Sequence, residues 1–271
     1  MALEHLHGAK TDTGLKRSHN EDRFVADPTL GLYVVCDGMG GGNAGEIASA
    51  LAVEAIQAHL AEAARRADLP LIGPCDVTAS AQANRLASAI RAANVVVHHE
   101  SWSRPEYAGM GTTVVAALFR EDVLTIGHVG DSRLYLIRNG TIQSLTTDHS
   151  WVAEQILKEL MTEEEANRSP RRNIVTKALG VESSVDVELT EVPVKSGDML
   201  LLCSDGLTHN VHPNDILRVL SGSEDLSTMS DRLVAMANEA GGDDNTTVVV
   251  VTLRDDLQAG LWERLRKRFV A

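Results

Sequence analysis

The chain has 271 residues, a length that predicts one domain or at most two. Hydrophobic residues make up 44% of it and charged residues 23%, which excludes a disordered or low-complexity chain. The 25 basic and 38 acidic residues give a net charge of −13, and a field of that sign repels phosphate backbones, which argues against general nucleic-acid binding.

The predicted elements fall into separate blocks of strands and helices. Because consecutive strands follow one another between two helical blocks, the pattern favours an antiparallel α+β fold over a parallel βαβ sheet. In chain order, we predict a strand at 31–36, helices at 44–66 and 78–99, strands at 112–119, 123–129, 133–138 and 141–145, short helices at 150–159 and 162–167, strands near 185–192 and 199–203, helices near 213–220 and 226–239, and a last strand at 246–253.

Cysteine usage predicts a reducing compartment. The three cysteines cannot all pair, and Cys36 and Cys203 lie inside apolar runs, where a thiol is typically a small buried hydrophobe. The first ten residues carry neither the apolar core nor the cleavage site of a secretory signal, and no apolar stretch approaches the ~18 residues of a membrane span. We therefore expect a cytoplasmic protein.

Four aspartates stand at the ends of apolar strands. Asp37, Asp131 and Asp205 follow strands, and Asp244 precedes the last one. If that strand runs antiparallel to its neighbours, all four carboxylates meet at one edge of the sheets. Clustered acids repel one another, and a hard divalent cation is the usual remedy. Oxygen ligands alone favour Mg²⁺ or Mn²⁺ over Zn²⁺, although each Asp taken singly is also typical of a turn.

Residues 11–24 combine a cation with adjacent acids. Arg17 has a planar fork suited to two phosphate oxygens, and Glu21 and Asp22 can accept hydrogen bonds from water molecules around a metal ion. A solvated loop with a surface ion pair is the alternative interpretation of this segment.

A glycine-rich segment at 40–45 raises a competing hypothesis. It satisfies the G-x-G-x-x-G pattern between a strand and a helix, as in dinucleotide-binding folds. Asp37, however, would face and repel a pyrophosphate, and no βαβ alternation follows. We therefore disfavour a dinucleotide site.

Taken together, the motifs resemble a known family. They resemble the metal-dependent serine/threonine protein phosphatases, the PPM or type 2C family, in its compact bacterial form, from about residue 8 to 253. The segments that carry the resemblance are Arg17-x-x-Asn20-Glu21-Asp22, Val35-Cys36-Asp37-Gly38-Met39-Gly40-Gly41, Gly45-Glu46, Gly109-Met110-Gly111-Thr112-Thr113, Val129-Gly130-Asp131-Ser132-Arg133, Cys203-Ser204-Asp205-Gly206-Leu207 and Asp244-Asn245-Thr246-Thr247.

The resemblance implies a fold, an activity and a metal centre. The expected fold is a central antiparallel β-sandwich with helices on both outer faces, in α-β-β-α layers, over residues 1–254. The expected activity is hydrolysis of phosphoserine and phosphothreonine in proteins, in which a water held between two Mn²⁺ or Mg²⁺ ions attacks phosphorus directly. In this family Asp37 matches the acid that bridges both ions, Gly38 a carbonyl ligand, Asp205 and Asp244 ligands of the other ion, and Asp131 the acid that holds a third, weaker ion with Asp205.

The remaining site residues follow from the same match. Arg17 matches the phosphate-binding arginine, while Glu21, Asp22 and Asn245 are expected to surround the ligands and orient water. Met39 stands where eukaryotic members carry a histidine proposed as general acid, which leaves the group that protonates the leaving oxygen open.

Two further segments carry weaker expectations. Residues 147–176 fall where the family has a flap beside the site; its arginines either contact substrate or belong to a solvated loop, and they are Arg168, Arg171 and Arg172. Residues 255–271 form a basic tail, whose leucines at 257, 261 and 265 predict an amphipathic helix. We expect the helix to pack on the domain, with docking to a membrane surface or a partner as the alternative.

The expected partners are proteins phosphorylated by a serine/threonine kinase. The enzyme itself is expected to be a monomer. Two other hypotheses stay open at the level of the sequence. One is a phosphatase for a partner-switching protein of the anti-sigma-antagonist type, which shares the chemistry. The other is a pseudophosphatase that only binds; the intact acids at 37, 205 and 244 argue against it.

Overall fold

The computed structural model describes residues 3–41 and 44–255. Eleven strands and seven α-helices are described within these two ranges. The strands are β1 (Leu3–Asp12), β2 (Asp22–Asp27), β3 (Leu32–Met39), β4 (Gly111–Thr112), β5 (Val114–Arg120), β6 (Val123–Val129), β7 (Arg133–Arg138), β8 (Thr141–Ser144), β9 (Glu188–Pro193), β10 (Met199–Cys203) and β11 (Thr246–Asp255). The helices are α1 (Ala44–Arg65), α2 (Ala81–Ser103), α3 (Trp151–Leu157), α4 (Glu163–Arg168), α5 (Asp205–Thr208), α6 (Pro213–Leu220) and α7 (Leu226–Glu239).

The strands form two sheets, which are described in the order of their neighbours. The first sheet runs β1-β11-β10-β7-β8, and the second runs β2-β3-β5-β6-β9 with β4 paired to β3. Every pairing between the described strands is antiparallel. The predicted antiparallel sandwich between helices is therefore confirmed, and the strand after which the glycine-rich segment comes belongs to no βαβ unit.

Central strands are apolar on both faces because each sheet packs against the other sheet on one face and against helices on the other. In β3, Tyr33 and Val35 point into the core between the sheets, whereas Val34 and Cys36 pack under α1 and α2. In β10 the same alternation sends Leu200 and Leu202 inward and Leu201 and Cys203 toward α6 and α7. The result is four layers, with α1 and α2 on one outer face and α6 and α7 on the other.

Two strands were not predicted from the sequence. β1 pairs along its whole length with β11, yet its residues are mostly half-buried and include few of the β-branched types that mark a strand. β2 likewise depends on its pairing with β3. Both form because a neighbouring strand offers a free edge, which is information that a local sequence window does not contain.

The observed start of α2 differs from the predicted one because a side chain caps the helix. The prediction began α2 at residue 78, but the helix begins at Ala81 because Ser80 accepts a hydrogen bond from the Ala83 N–H at 3.0 Å. Just before it, Asp76 accepts from the Thr78 N–H at 2.8 Å and forms a turn that excludes helix.

Some of the predictions fall on residues that the structure does not describe. The predicted amphipathic tail lies outside the described residues, which end with β11. Gly42 and Asn43 also lie outside it. Among the helices of the described ranges, none combines the length and hydrophobicity that crossing a bilayer demands. The three cysteines are free, with Cys36 and Cys203 buried as predicted.

Candidate metal centre

The acids at the strand ends come together at one edge of the sandwich. Because β10 and β11 are antiparallel, Asp205 beyond the end of β10 lies at the same edge as Asp244, two residues before β11. β7 is also antiparallel to β10, which brings Asp131 there. Asp37 arrives from the other sheet, where the charge of Asp205 helps to raise the pKa of its carboxyl group. The edge thus collects the four predicted aspartates.

The backbone of Asp37 is held on both of its polar groups. Its N–H donates to Thr113 Oγ1 at 2.9 Å, and its carbonyl accepts from the Thr113 N–H at 2.8 Å. Thr112 Oγ1 donates to the same carbonyl at 2.9 Å. These contacts explain why β5 begins at Val114 and not at residue 112 as predicted: the two threonines serve the end of β3 instead.

Glycines give the backbone at this edge its close approaches. A Cβ on Gly38 would lie 2.0 Å from the Gly45 carbonyl oxygen, and one on Gly206 would lie 2.1 Å from the Asn245 carbonyl oxygen. No other residue type fits at either position without moving the backbone. Gly38, predicted to offer a carbonyl ligand, is therefore packed directly against the start of α1.

Asp22 lies beneath the cluster and joins the two sheets. It is fully buried and pairs with Asp37 in the β2–β3 register. Ser204 Oγ donates to Asp22 Oδ2 at 2.7 Å and accepts from the Thr247 N–H at 2.9 Å. Asp22 was predicted among the groups that orient water; in the folded protein its carboxylate also accepts a hydrogen bond from Ser204 of the opposite sheet.

Asn245 fastens the loop that carries Arg17. Its Oδ1 accepts from the Glu21 N–H at 2.7 Å, and its Nδ2 donates to the carbonyls of Thr13 and His19 at 2.8 and 2.9 Å. Asn245 is only 4% exposed. All of its amide hydrogen-bonding groups are thus used to hold residues 13–21 against the start of β11.

Arg17 reaches the acid cluster from this loop. Its Nη2 donates to Asp244 Oδ2 at 2.7 Å, and the side chain is half exposed. Desolvation lowers the pKa of Arg17, but the charges of Asp244, Glu21 and Asp37 outweigh it and raise the pKa. A guanidinium beside the acids, with part of its fork open to solvent, is placed to bind a phosphate oxygen.

Crowding raises the pKa of the clustered carboxyl groups. Burial is the largest cause, and the neighbouring acids add to it, so that the pKa of Asp22 and that of Asp131 rise to about 7 and that of Asp205 to about 6. The pKa of Asp37 is raised well above its ordinary value by burial and by Asp22, Asp205 and Asp131. Arg17 therefore balances only part of the negative charge of the cluster.

The donor set fits hard divalent cations. Three buried oxygens at this edge have no hydrogen-bond partner in the protein, namely Glu21 Oε1, Asp22 Oδ1 and Asp205 Oδ1. Buried polar atoms are nearly always satisfied, so carboxylate oxygens without a protein partner in a crowded cluster fit a cation-binding site. Carboxylate oxygens and a backbone carbonyl are the ligands that Mg²⁺ and Mn²⁺ prefer.

A second group of potential ligands lies nearby. Among the described residues, one set of three has all its ligand atoms within 4.8 Å, and it consists of His128, His149 and Glu188 rather than of the predicted acids. The two imidazoles stack 4.7 Å apart and 5° from parallel. A metal ion must lie in the plane of each imidazole that binds it, so this arrangement does not let both rings share one ion.

The predicted flap includes α3 and α4, and residues of both helices line a cleft that His209 also lines. Of its arginines, Arg168 pairs with Glu164 at 2.7 Å, and Arg171 stacks on Trp151 at 4.9 Å. Arg172 lines a cleft of about 740 Å³ between this segment and α6. The local contacts of Arg168 and Arg171 favour the solvated-loop interpretation for those two side chains.

His209 lies at the site but was not among the residues predicted from the sequence. Its Nδ1 lies 3.3 Å from Asp205 Oδ2, and the ring lines the same cleft as Arg172. The signal was present, because His209 follows Asp205 by four residues and, as the C-cap of the short helix α5, lies one helical turn beyond it.

Known proteins resemble this chain over most of its length. The family model described as Protein phosphatase 2C matches residues 16–253. The serine/threonine phosphatase stp of Listeria monocytogenes serotype 4b is 39% identical over 254 residues, which cover 93% of this chain and 96% of that protein. The crystal structure of the Mycobacterium tuberculosis serine/threonine phosphatase PstP/Ppp is 35% identical with a TM-score of 0.82, covering 93% of this chain and 100% of that chain.

A further crystal structure contains the metal ions that the acid cluster predicts. It is the catalytic domain of the serine threonine protein phosphatase PstP in complex with two manganese ions, which is 34% identical with a TM-score of 0.79 over 94% of this chain and 100% of that chain. The family model alone spans more than half of the sequence. The resemblance read from the motifs is therefore confirmed, and the chain belongs to the protein phosphatase 2C family.

Proposed function

We propose that this protein hydrolyses phosphoserine and phosphothreonine in phosphorylated proteins and that it depends on Mn²⁺ or Mg²⁺. One observation carries the proposal. Asp37 and Asp205 meet across the two sheets in a cluster of acids with raised pKa and orphaned oxygens, directly beside the guanidinium of Arg17. This combination supplies a site for cations and a group that binds the anionic substrate.

Each residue has a proposed task in this reaction. Asp37, Asp205 and Asp244, with the carbonyl of Gly38, hold two divalent ions, and Asp131 with Asp205 holds a third, weaker one. Bound divalent ions lower the pKa of water toward neutrality and neutralise the charge of the phosphoryl group.

The surrounding residues keep this arrangement in place. Thr113 fixes the backbone of Asp37, and Ser204 joins Asp22 to the opposite sheet. Asn245 holds the Arg17 loop so that the guanidinium faces the cluster. Arg17 orients the phosphoryl group by hydrogen bonds to its oxygens, and this preorganised positive charge matters most as negative charge develops in the transition state.

The finer assignments are also proposals. We infer a catalytic domain over residues 1–254 with residues 255–271 as a separate tail, a cytoplasmic monomer, and substrates phosphorylated by a serine/threonine kinase. The relatives named serine/threonine phosphatases, such as the stp protein of Listeria monocytogenes, support this class of substrate.

A phosphopeptide panel tests the proposed function. With Mn²⁺ present, we expect the purified protein to release phosphate from phosphoserine and phosphothreonine peptides and much more slowly from matched phosphotyrosine peptides. Replacing Arg17 by Ala should lower kcat/KM by about 10–100-fold, because a charge-assisted hydrogen bond contributes about 1.5–3 kcal/mol.

The control for this panel comes from the same loop. Lys16 is an exposed cation that pairs with the exposed acid Asp243, which is not one of the predicted site residues, so Lys16→Ala should keep kcat/KM within about twofold of the wild type. Absence of phosphate release from every peptide, or an equal effect of the Lys16 and Arg17 variants, would contradict the proposal.

A further inference from the structure

His149 contacts both polar groups of the Gly130 backbone. Its Nδ1 accepts a hydrogen bond from the Gly130 N–H at 3.1 Å, and its own backbone N–H donates to the Gly130 carbonyl at 2.9 Å. Gly130 is the residue immediately before Asp131, in the turn between β6 and β7. One residue therefore fastens the peptide units on both sides of Gly130, and the second of these leads into Asp131.

Two further contacts fix the ring of His149, one with Glu188 and one with His128. Because Nδ1 accepts from an amide, the neutral ring carries its proton on Nε2, which donates to Glu188 Oε2 at 3.2 Å. One face of the ring stacks on His128, whose Nε2 donates to the Thr147 carbonyl at 2.9 Å. His149 is 9% exposed and His128 is 2% exposed, so the stack is part of the interior.

The turn that His149 holds requires a glycine, so its rigidity must come from the neighbouring residues. Gly130 has φ = +109°, and a Cβ there would lie 2.7 Å from Thr113 Cβ, so the position requires glycine. A glycine turn is flexible unless neighbours fix it. Ser132, which follows Asp131, is hydrogen-bonded to Thr113 at 2.7 Å. His149 supplies the matching restraint on the other side of Asp131.

We propose that His149 is a positioning residue that sets the Gly130–Asp131 turn and thereby the affinity of the third, weaker cation site formed by Asp131 and Asp205. The inference rests on the proposed function. It also links that site to the flap, because the Thr176 N–H donates to the His149 carbonyl at 2.8 Å and residues 147–176 thus begin and end at this contact.

Two variants separate positioning from simple packing. His149→Leu keeps an apolar side chain in the stack but removes the acceptor for the Gly130 N–H, whereas His149→Asn places an amide oxygen near the position of Nδ1. We expect the Leu variant to raise the half-saturating concentration of Mn²⁺ for activity about tenfold, the effect of a lost buried hydrogen bond. The Asn variant should restore it to within about threefold of the wild type.

Direct binding of the metal gives a second readout. Isothermal titration of the metal-free protein with Mn²⁺ alone should show the weakest binding step weakened in His149→Leu and the tighter steps unchanged. Glu188→Gln keeps an acceptor for Nε2 and serves as the matched control, with an expected change below about twofold. Thermal unfolding in chelator, measured for every variant, shows that each protein is folded.

A double-variant cycle decides whether the effect runs through Asp131. In an Asp131→Asn background, His149→Leu should cause no further change in Mn²⁺ dependence. An equal loss in both backgrounds, or a Leu variant with the Mn²⁺ dependence of the wild type, would overturn the inference while leaving the phosphatase proposal intact. A wild-type protein that neither binds Mn²⁺ nor releases phosphate would instead refute the proposed function itself.

Discussion

Asp37→Asn should lower the turnover of phosphopeptides by about 10³-fold or more. A metal ion contributes several kcal/mol to the stabilisation of charge in the transition state, and each 1.4 kcal/mol corresponds to a factor of ten in rate. We propose that Asp37 binds both ions, and its charge interacts with that of Asp205 from the opposite sheet, so its replacement should weaken the binding of both ions. The loss should appear in kcat at saturating Mn²⁺ and substrate.

The same variant should be more stable than the wild type when no metal is bound. Asp37 is crowded by acids that raise its pKa, and an amide of the same shape removes that repulsion. We therefore expect a higher melting temperature for Asp37→Asn in chelator and a smaller gain in melting temperature when Mn²⁺ is added.

An exposed acid provides the control for this variant. Asp68→Asn changes the same functional group at a side chain that is 83% exposed, and it should alter neither turnover nor melting temperature. An Asp37→Asn protein that keeps a turnover rate near that of the wild type would contradict the assignment of Asp37 as a metal ligand.

Removing the metal should abolish phosphate release, and adding Mn²⁺ should restore it. The pH dependence of stability should change at the same time. Without metal, the pKa of Asp22 and that of Asp131 are about 7 and that of Asp205 is about 6, all above the ordinary value of 3.8. Between about pH 4 and 7 the folded state then holds protons that the unfolded chain has released, so its stability falls as the pH rises.

Bound cations should reverse this trend. Because Mn²⁺ and protons compete for the same carboxylates, the stabilisation by Mn²⁺ should be greatest above pH 7 and vanish toward pH 5. Melting temperatures across pH 5–8, with chelator and with Mn²⁺, measure both effects. Activity that survives exhaustive chelation, or a metal-free protein that gains stability as the pH rises through this window, would contradict the account.

Much of the fold could be predicted because the local patterns are strong. The long helices α1 and α7 and the strands β6 and β11 appear in the sequence as periodic or continuous apolar runs with clear ends. β1 was not predicted because it forms only through its pairing with β11. Gly8 in this strand has no side chain, so the backbone of α7 at Leu226 can pack directly against it. Such tertiary requirements leave little trace in a local window.

The candidate site was predictable for a related reason. Asp37 and Asp205 stand at the ends of apolar strands, and although either one alone is typical of a turn, four such acids at one sheet edge predict a cation site. By contrast, the hydrogen bond from the Glu21 N–H to Asn245 joins residues 224 positions apart. The contact between His149 and Gly130 likewise depends on the path of the chain between β8 and α3. These supporting contacts could be found only in the folded structure.

The central claim is that Asp37, Asp205 and Asp244 hold divalent cations beside Arg17. Anomalous diffraction from crystals grown with Mn²⁺, recorded at the manganese edge, tests it most directly. The account predicts two strong peaks within about 2.0–2.3 Å of carboxylate oxygens of these three aspartates, since that is the range of hard-cation ligation by oxygen. Strong peaks at His128, His149 and Glu188 with none at the acid cluster, or no ordered manganese at all, would contradict it.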